Sequence, residues 1–328
     1  MSNIVIETRI RLARNLKKYP FPIRLGRAGK EEVANIIIDA VKNSNSPLAD
    51  ELDVIWVKDL TEYERASLVE KRLVSPEFVS DSDGKALILS KDRTMSIMLN
   101  EEDHIRLQIF SKGFELDKAF DIADKLDTLL DENLEFAFDE SLGYLTQCPT
   151  NLGTGMRASV MLHLPALKAG RAVSRIAGNL QKLGLTIRGA FGEGSEPKGA
   201  VYQLSNQVTL GISEKSAIEN LKNIAEQLVK RELDAQKRMS ASIEAQDKIM
   251  RSLGVLKYAR QISCDEALEL LSNVRFGINC GLIDSIGVDD VDKIAEKIRP
   301  ATIMSENGEM SAEQRDKVRA EIINKALL

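Results

Sequence analysis

Cysteine is scarce in the chain: Cys148, Cys264 and Cys280 are all there are, and no two have CxxC spacing. An odd set so arranged supports neither a disulfide framework nor a zinc ribbon, and it fits a reducing compartment. The start of the sequence lacks the apolar core of a signal peptide. No stretch approaches the roughly 20 apolar residues needed to cross a bilayer, so no membrane role is expected and the cytoplasm is the expected location. An excess of basic residues is also missing, the net charge being -5. Affinity for a phosphate backbone accumulates from basic charge, so direct nucleic-acid binding is not expected. The only histidines, His104 and His163, have no recognisable zinc spacing, and no metal ligand is assigned. Neither GxxxxGK[ST] nor HRD nor DFG occurs, which excludes the usual phosphate-loop and Ser/Thr/Tyr-kinase signatures.

What the sequence has is arginine on the polar side of apolar strands. In TRIRLARN, residues 8–15, side chains of a strand alternate between faces, so Arg9 and Arg11 share one face while Ile10 and Leu12 pack on the other. HIRLQIF sets Ile105, Leu107 and Ile109 against His104, Arg106 and Gln108. MRASVMLHL sets Met156, Ala158, Val160, Leu162 and Leu164 against Arg157, Ser159 and His163. TIRGAFGEG brings Arg188 to the end of a short strand that enters a glycine-rich loop. A single strand arginine is usually a solvated one. Five on one sheet surface repel one another, and a polyanion such as a triphosphate relieves that repulsion best.

With 328 residues, 43% hydrophobic and 29% charged, the chain can bury a proper core and form two domains. Residues 1–212 mix helices and strands. Helical spacing places one helix at 31–42, the Thr61/Glu64 capping box opens another, and a long amphipathic helix is expected at 116–134. Strands are expected at 86–90, 94–99 and 104–110, with turns at Asp83-Gly84 and Asn206-Gln207. Strands without regular intervening helices favour an antiparallel sheet, hence an α+β class. Residues 213–328 show only helical periodicity, including starts at Ser263 with Glu266 and Ser311 with Gln314, and read as a separate helical domain.

Two further segments could carry chemistry. NEEDHIR, residues 100–106, has three consecutive acids, Glu101, Glu102 and Asp103, ahead of Arg106. Such a run is most often a solvated turn, but a carboxylate beside phosphate-binding arginines could hold a cationic acceptor. Glu193 is a second such carboxylate, just beyond Arg188. CPTNLGTGMR, residues 148–157, offers Cys148 and two glycines. Its backbone could approach a ligand, although loop glycines are more often turn formers.

These four segments, in this order, resemble the ATP:guanidino phosphotransferase family, which includes creatine and arginine kinases, and within it the bacterial protein-arginine kinases. The resemblance covers nearly the whole chain. It implies a phosphagen-kinase-like catalytic domain (antiparallel sheet flanked by helices) at 1–212, and a helical domain at 213–328 with phosphoarginine-binding and dimerisation roles. It implies that Arg9, Arg11, Arg106, Arg157 and Arg188 clamp ATP with Mg2+. Glu102 and Glu193 hold the acceptor guanidinium with Cys148 beside it, Glu102 being the expected base. Thr8, Ile10, Arg72, Ala158, Ser159, Val160, Met161, Gly189, Ala190, Phe191 and Gly192 complete the nucleotide site. Arg72 stands where related sequences usually show histidine, and Glu7-Thr8 where they show a small hydroxyl pair. RDKVRA resembles a phosphoarginine motif, implying an allosteric site of Arg315, Asp316, Arg319 and Ala320. The implied activity is phosphorylation of arginine on proteins that expose it, marking them for a Clp-type chaperone-protease. An activator protein and a homodimer or higher oligomer are implied partners. A kinase of a free guanidino metabolite and a non-catalytic phosphoarginine reader are the competing readings.

Overall fold

The computed structural model describes residues 3–42, 52–189 and 197–328. Its strands are β1 (Val5–Arg14), β2 (Leu52–Trp56), β3 (Ala86–Ser90), β4 (Met95–Leu99), β5 (Ile105–Lys112), β6 (Phe138–Asp139), β7 (Gly143–Tyr144), β8 (Met156–His163), β9 (Leu185–Gly189) and β10 (Val201–Asn206). Helices in the first two thirds of the chain are α1 (Arg27–Lys42), α2 (Glu62–Glu70), α3 (Pro76–Val79), α4 (Leu116–Leu134), α5 (Pro165–Ala169) and α6 (Ala172–Gln181). Every described element after these and β10 is helical: α7 (Glu214–Met239), α8 (Ile243–Tyr258), α9 (Cys264–Asn279), α10 (Val288–Lys297), α11 (Pro300–Asn307) and α12 (Ala312–Leu327).

Eight strands form one sheet in the order β2-β3-β4-β5-β1-β8-β10-β9, and the pairings β2/β3, β3/β4, β4/β5 and β5/β1 are antiparallel. The alternation read from the sequence is the alternation of this sheet. Ile88, Ile97, Leu107 and Leu12 face one another in a row across four strands, all of them buried. On the opposite face Arg11 lies across from Gln108 and Arg9 across from Phe110.

Contacts gather the chain into two compact units, one of Met1–Ile6, Val160–Leu204 and Asn223–Leu328, the other of Glu7–Ser159 and Ser205–Lys222. In the second unit the arginine-bearing face is partly roofed. Val57, Leu73, Val74 and Phe78 form a cluster with Leu87, Leu89, Met98 and Phe110, and the Leu73 carbonyl accepts Ser96 Oγ at 2.6 Å and Gln108 Nε2 at 2.8 Å. That polar anchor fixes the segment leading from α2 to α3 over the sheet. The capping box at Thr61 and Glu64 closes in both directions, and α4 spans the expected residues.

In the first unit, Glu232 of α7 accepts the free backbone N-H groups of Ala166 and Leu167 at the start of α5, both at 2.9 Å. Arg275 of α9 pairs with Asp292 at 2.8 Å and donates to the Asn3 carbonyl at 2.6 Å. The polar face expected for His163 is not a solvent face. His163 is fully buried, with Nε2 2.8 Å from Ser272 Oγ of α9. His104 also departs from expectation: it precedes β5 and is buried. Asn206 ends β10 rather than forming a turn. Its side chain accepts from Ala158 N at 2.7 Å and donates to the Met156 and Val208 carbonyls.

Candidate active site

The site grows from the turn that joins β4 to β5. Asn100 adopts a left-handed conformation, φ 61°, and its side-chain amide donates to the Lys30 and Gly84 carbonyls, each at 2.7 Å. His104 bolts the other end: Nδ1 accepts from Leu16 N at 3.1 Å, and Nε2 lies 3.0 Å from the Pro20 carbonyl. These bonds define the neutral tautomer, and burial lowers the ring's pKa to about 4 although the Pro20 contact favours the proton. The loop is therefore held rigidly at both ends.

Three consecutive acids are thereby sent to three environments. Asp103 is buried and accepts from Asn15 Nδ2 at 2.6 Å and Gln147 N at 2.8 Å. Glu101, its side chain 4% exposed, lies 2.5 Å from Arg106 Nη1 and accepts from Ser75 Oγ. Burial would raise the Glu101 pKa, but Arg106 and the Ser75 hydroxyl outweigh it and hold the carboxyl below its ordinary value. Glu102 is the accessible one, its side chain 34% exposed and 3.9 Å from Arg106. Partial burial raises its pKa, repulsion from Asp103 and Glu101 adds to that, and Arg106 and a hydrogen bond with Cys148 oppose it. So the acids are not the solvated run that such triplets usually are. Two are structural partners, and one faces a cavity of about 490 Å³ lined also by Glu77, Lys85, Glu101 and Arg106.

Arg9, Arg11, Arg106 and Arg157 come close enough to act on one another. Burial lowers the Arg9 pKa to about 10, with Arg72, Arg106 and Arg157 contributing and Glu7 opposing. Arg11 falls further, for burial and for the like charges of Arg9, Arg106 and Arg157. Its Nε is buried with no hydrogen-bond partner, and Arg9 sits 6.0 Å from the centre of the Phe110 ring. Glu7 shares this face, two residues before Arg9, and pairs with Arg72 through two contacts of 3.2 Å. Arg72 is itself left-handed, φ 60°. The two departures from the family pattern thus touch each other.

The side chains of Ile10, Ala158, Val160 and Met161 are buried. Thr8 is buried too, donating to the Gly113 carbonyl at 2.7 Å and accepting from Glu115 N. Ser159 Oγ is 3.4 Å from the Arg9 carbonyl. Gly189 and Arg188 lie on β9, in the unit that does not hold the other four arginines. Ala190, Phe191, Gly192 and Glu193 lie outside the described residues. Cys148 Sγ is 3.1 Å from Thr150 Oγ1. The glycines that follow serve chain packing: a Cβ on Gly153, φ 96°, would meet the Thr209 carbonyl oxygen, and one on Gly155, φ 59°, would meet Arg14 Nη1. Arg14 is structural, 2.7 Å from Asp127 and stacked over Tyr144.

In the C-terminal helices Arg319 is buried and donates to the Ile298 and Ile262 carbonyls, both at 2.8 Å, and to Asp316. Arg315 is half-buried, with Nη1 2.8 Å from the Met310 carbonyl. Ala320 is buried. The two arginines are therefore not an exposed pair on one helix face: Arg319 holds Asp316, and Arg315 is the accessible cation. Sequence reasoning missed Glu7 and Glu101 as partners of the arginines. Alternation along β1 could have found Glu7, whereas the Ser75 contact of Glu101 joins segments that no local pattern connects.

Residues 32–235 match the ATP:guanido phosphotransferase C-terminal catalytic domain, and residues 242–328 match the protein-arginine kinase McsB C-terminal domain. A protein-arginine kinase of Halothermothrix orenii is 45% identical over 328 residues, covering 99% of this chain and 93% of that protein. One from Caldanaerobacter subterraneus subsp. tengcongensis is 40% identical, covering 99% and 97%. A crystal structure of lombricine kinase superposes with a TM-score of 0.63 at 25% identity, covering 71% of this chain and 67% of that one. With the arginine surface, the acidic turn and these likenesses together, the chain belongs to the ATP:guanido phosphotransferase family.

Proposed function

We propose that this chain is an ATP-dependent protein-arginine kinase. The observation that carries it is the accessible Glu102, set beside Cys148 and Arg106 and next to a surface of mutually repelling arginines. Relatives of 40–45% identity over nearly the whole chain bear that name. Four crowded guanidiniums, one with an unmatched buried Nε, suit a polyphosphate. Among the described residues no group of three or more His, Cys, Asp or Glu could hold a metal. Mg2+ would accompany the nucleotide, where it supplies charge neutralisation on the phosphate oxygens.

The residues then divide the work. Arg9, Arg11, Arg106 and Arg157, with Arg188, hold and align the phosphates. Alignment and charge stabilisation are most of what phosphoryl transfer needs. Glu102, with Glu193, orients the acceptor guanidinium, whose pKa above 12 requires that a proton leave. Glu102 accepts that proton as the N-P bond forms and the bond to the ADP oxygen breaks. Its raised pKa makes it a better base than an ordinary glutamate.

Catalysis is assigned to residues 1–212 and phosphoarginine sensing and dimerisation to 213–328. Arg315 and Asp316 would make the contacts to phosphoarginine, and Arg319 would position Asp316. A cytoplasmic setting, an activator protein and a Clp-type chaperone-protease complete this reading, supported by family membership. No helix among the described residues is long and apolar enough to cross a membrane.

The test is transfer from labelled ATP with Mg2+ to a cationic unfolded protein and to free arginine, with acid lability identifying an N-P bond. Acid-labile label on protein alone supports the proposal. Label on free arginine would indicate a metabolite kinase, and label on neither a phosphoarginine reader.

A further inference from the structure

The cavity that Glu102 faces is lined by five charged residues, Glu77, Lys85, Glu101, Glu102 and Arg106. Three of them are engaged within the protein. Glu101 is tied to Arg106 and Ser75, Arg106 to Glu101, and Lys85, itself buried, to Asp81 at 2.7 Å and to the Glu77 carbonyl at 3.1 Å. Two carboxylates remain. Glu102 is assigned to the acceptor guanidinium. Glu77 is exposed, and among the described residues its carboxylate takes part in no hydrogen bond or ion pair.

Glu77 is also well placed. It belongs to α3, which begins with Pro76 and is capped by Ser75. Ser75 Oγ accepts from Phe78 N at 3.1 Å and donates to Glu101. One hydroxyl therefore ties the short helix that bears Glu77 to the acidic turn that bears Glu102. Phe78 anchors the helix from below, fully buried in the apolar cluster under the turn. An unmatched carboxylate thus stands on a rigid support at the acceptor cavity.

Charge and size indicate what it meets. Three carboxylates line the cavity against two cations, and Asp81 already neutralises one of those from outside. At about 490 Å³ the cavity has the scale of pockets that enclose whole small ligands, wider than one planar guanidinium needs. Residues next to an acceptor in a peptide follow at about 3.8 Å per step, which leaves long flanking side chains within reach of the same space.

Resting on the kinase reading above, we infer that Glu77 is a specificity residue that reads a lysine or arginine beside the acceptor arginine, so that the substrates are basic peptide segments. A half-exposed ion pair of this kind is worth up to about 1 kcal/mol, or about fivefold in kcat/KM. It should weaken with salt.

The experiment uses the full chain, labelled ATP with Mg2+, and three peptides bearing one arginine flanked by lysine, by glutamine or by glutamate. The wild-type protein should favour the lysine-flanked peptide over the glutamine-flanked one by about two- to fivefold in kcat/KM, mostly through KM. Glu77→Gln should bring that ratio close to one, Glu77→Asp should restore most of it, and Glu77→Lys should invert it toward the glutamate-flanked peptide. A wild-type protein that labels all three equally overturns the inference and leaves the kinase reading intact. An unchanged ratio in Glu77→Gln, or no inversion in Glu77→Lys, does the same. If no peptide or unfolded protein is labelled at all, the kinase reading falls and this inference falls with it.

Discussion

Arg106 Nη1 lies 2.5 Å from Glu101 Oε2 and 3.9 Å from Glu102 Oε2. Neighbouring glutamates therefore have separable roles. Glu102→Gln should keep the fold and lower turnover by about 10² to 10⁴, the usual contribution of an acid-base group. Glu101→Gln should instead act on the fold, because it removes the charge facing Arg106 in a buried pair. A loss of about 1–3 kcal/mol in urea unfolding is expected. The acidic limb of kcat/KM should lie above that of an unperturbed glutamate, because activity is lost as pH falls through the raised pKa of Glu102. Near-normal turnover in Glu102→Gln would remove it from the mechanism.

Glu7 and Arg72 should behave as one unit. Each lies mostly out of solvent, with side-chain exposures of 21% and 17%, and removing either breaks a largely buried ion pair that acts on Arg9. Glu7→Ser and Arg72→His should each destabilise by about 1–2 kcal/mol, and the double variant by clearly less than their sum. Strict additivity in the unfolding free energies would mean that the pair is incidental.

These cases show where the sequence was legible. Arg9, Arg11 and Arg106 could be assigned to one face because a strand alternates with period two, and α4 could be bounded because its apolar residues recur at helical spacing. The same rule put His163 on the polar face of its strand, but nothing local reports that α9 covers it there with Ser272. The acids at 101–103 look equivalent in sequence. They are separated only by Ser75, Asn15, Gln147 and Cys148, which come from three distant segments. Local periodicity shows which way a side chain points, and only tertiary packing decides which groups meet there.

Arg315 and Arg319, four residues apart, should give different phenotypes. Arg319→Ala leaves the Ile298 and Ile262 carbonyls and Asp316 without their donor in a buried place, so a loss of about 3 kcal/mol or more is expected. Arg315→Ala removes one bond to the Met310 carbonyl and should cost about 1 kcal/mol. If the phosphoarginine proposal holds, that variant loses stimulation by added phosphoarginine while unfolding near the wild-type midpoint. An unchanged stimulation curve would move the sensor elsewhere.

The histidines make stability depend on pH with a definite sign. His104 titrates at about 4 in the folded chain against an ordinary value of 6.5, and His163 is also lowered, first by burial and then by Arg275 and Lys168. Between these values the unfolded chain binds more protons than the folded one, so stability rises with pH. The stabilisation is complete above about 6.5 and is lost on acidification toward 4, amounting to about 3 kcal/mol for His104. Asp103, Asp127 and Glu232, whose pKa values are raised chiefly by burial, contribute the opposite slope, so the total profile does not isolate the histidine. The difference between the wild-type protein and His104→Gln does. That variant gains no proton, and its unfolding free energy between pH 4 and 6.5 should fall less on acidification, by up to about one proton's slope. Parallel profiles for the two proteins would mean that His104 is not held neutral by the turn it anchors.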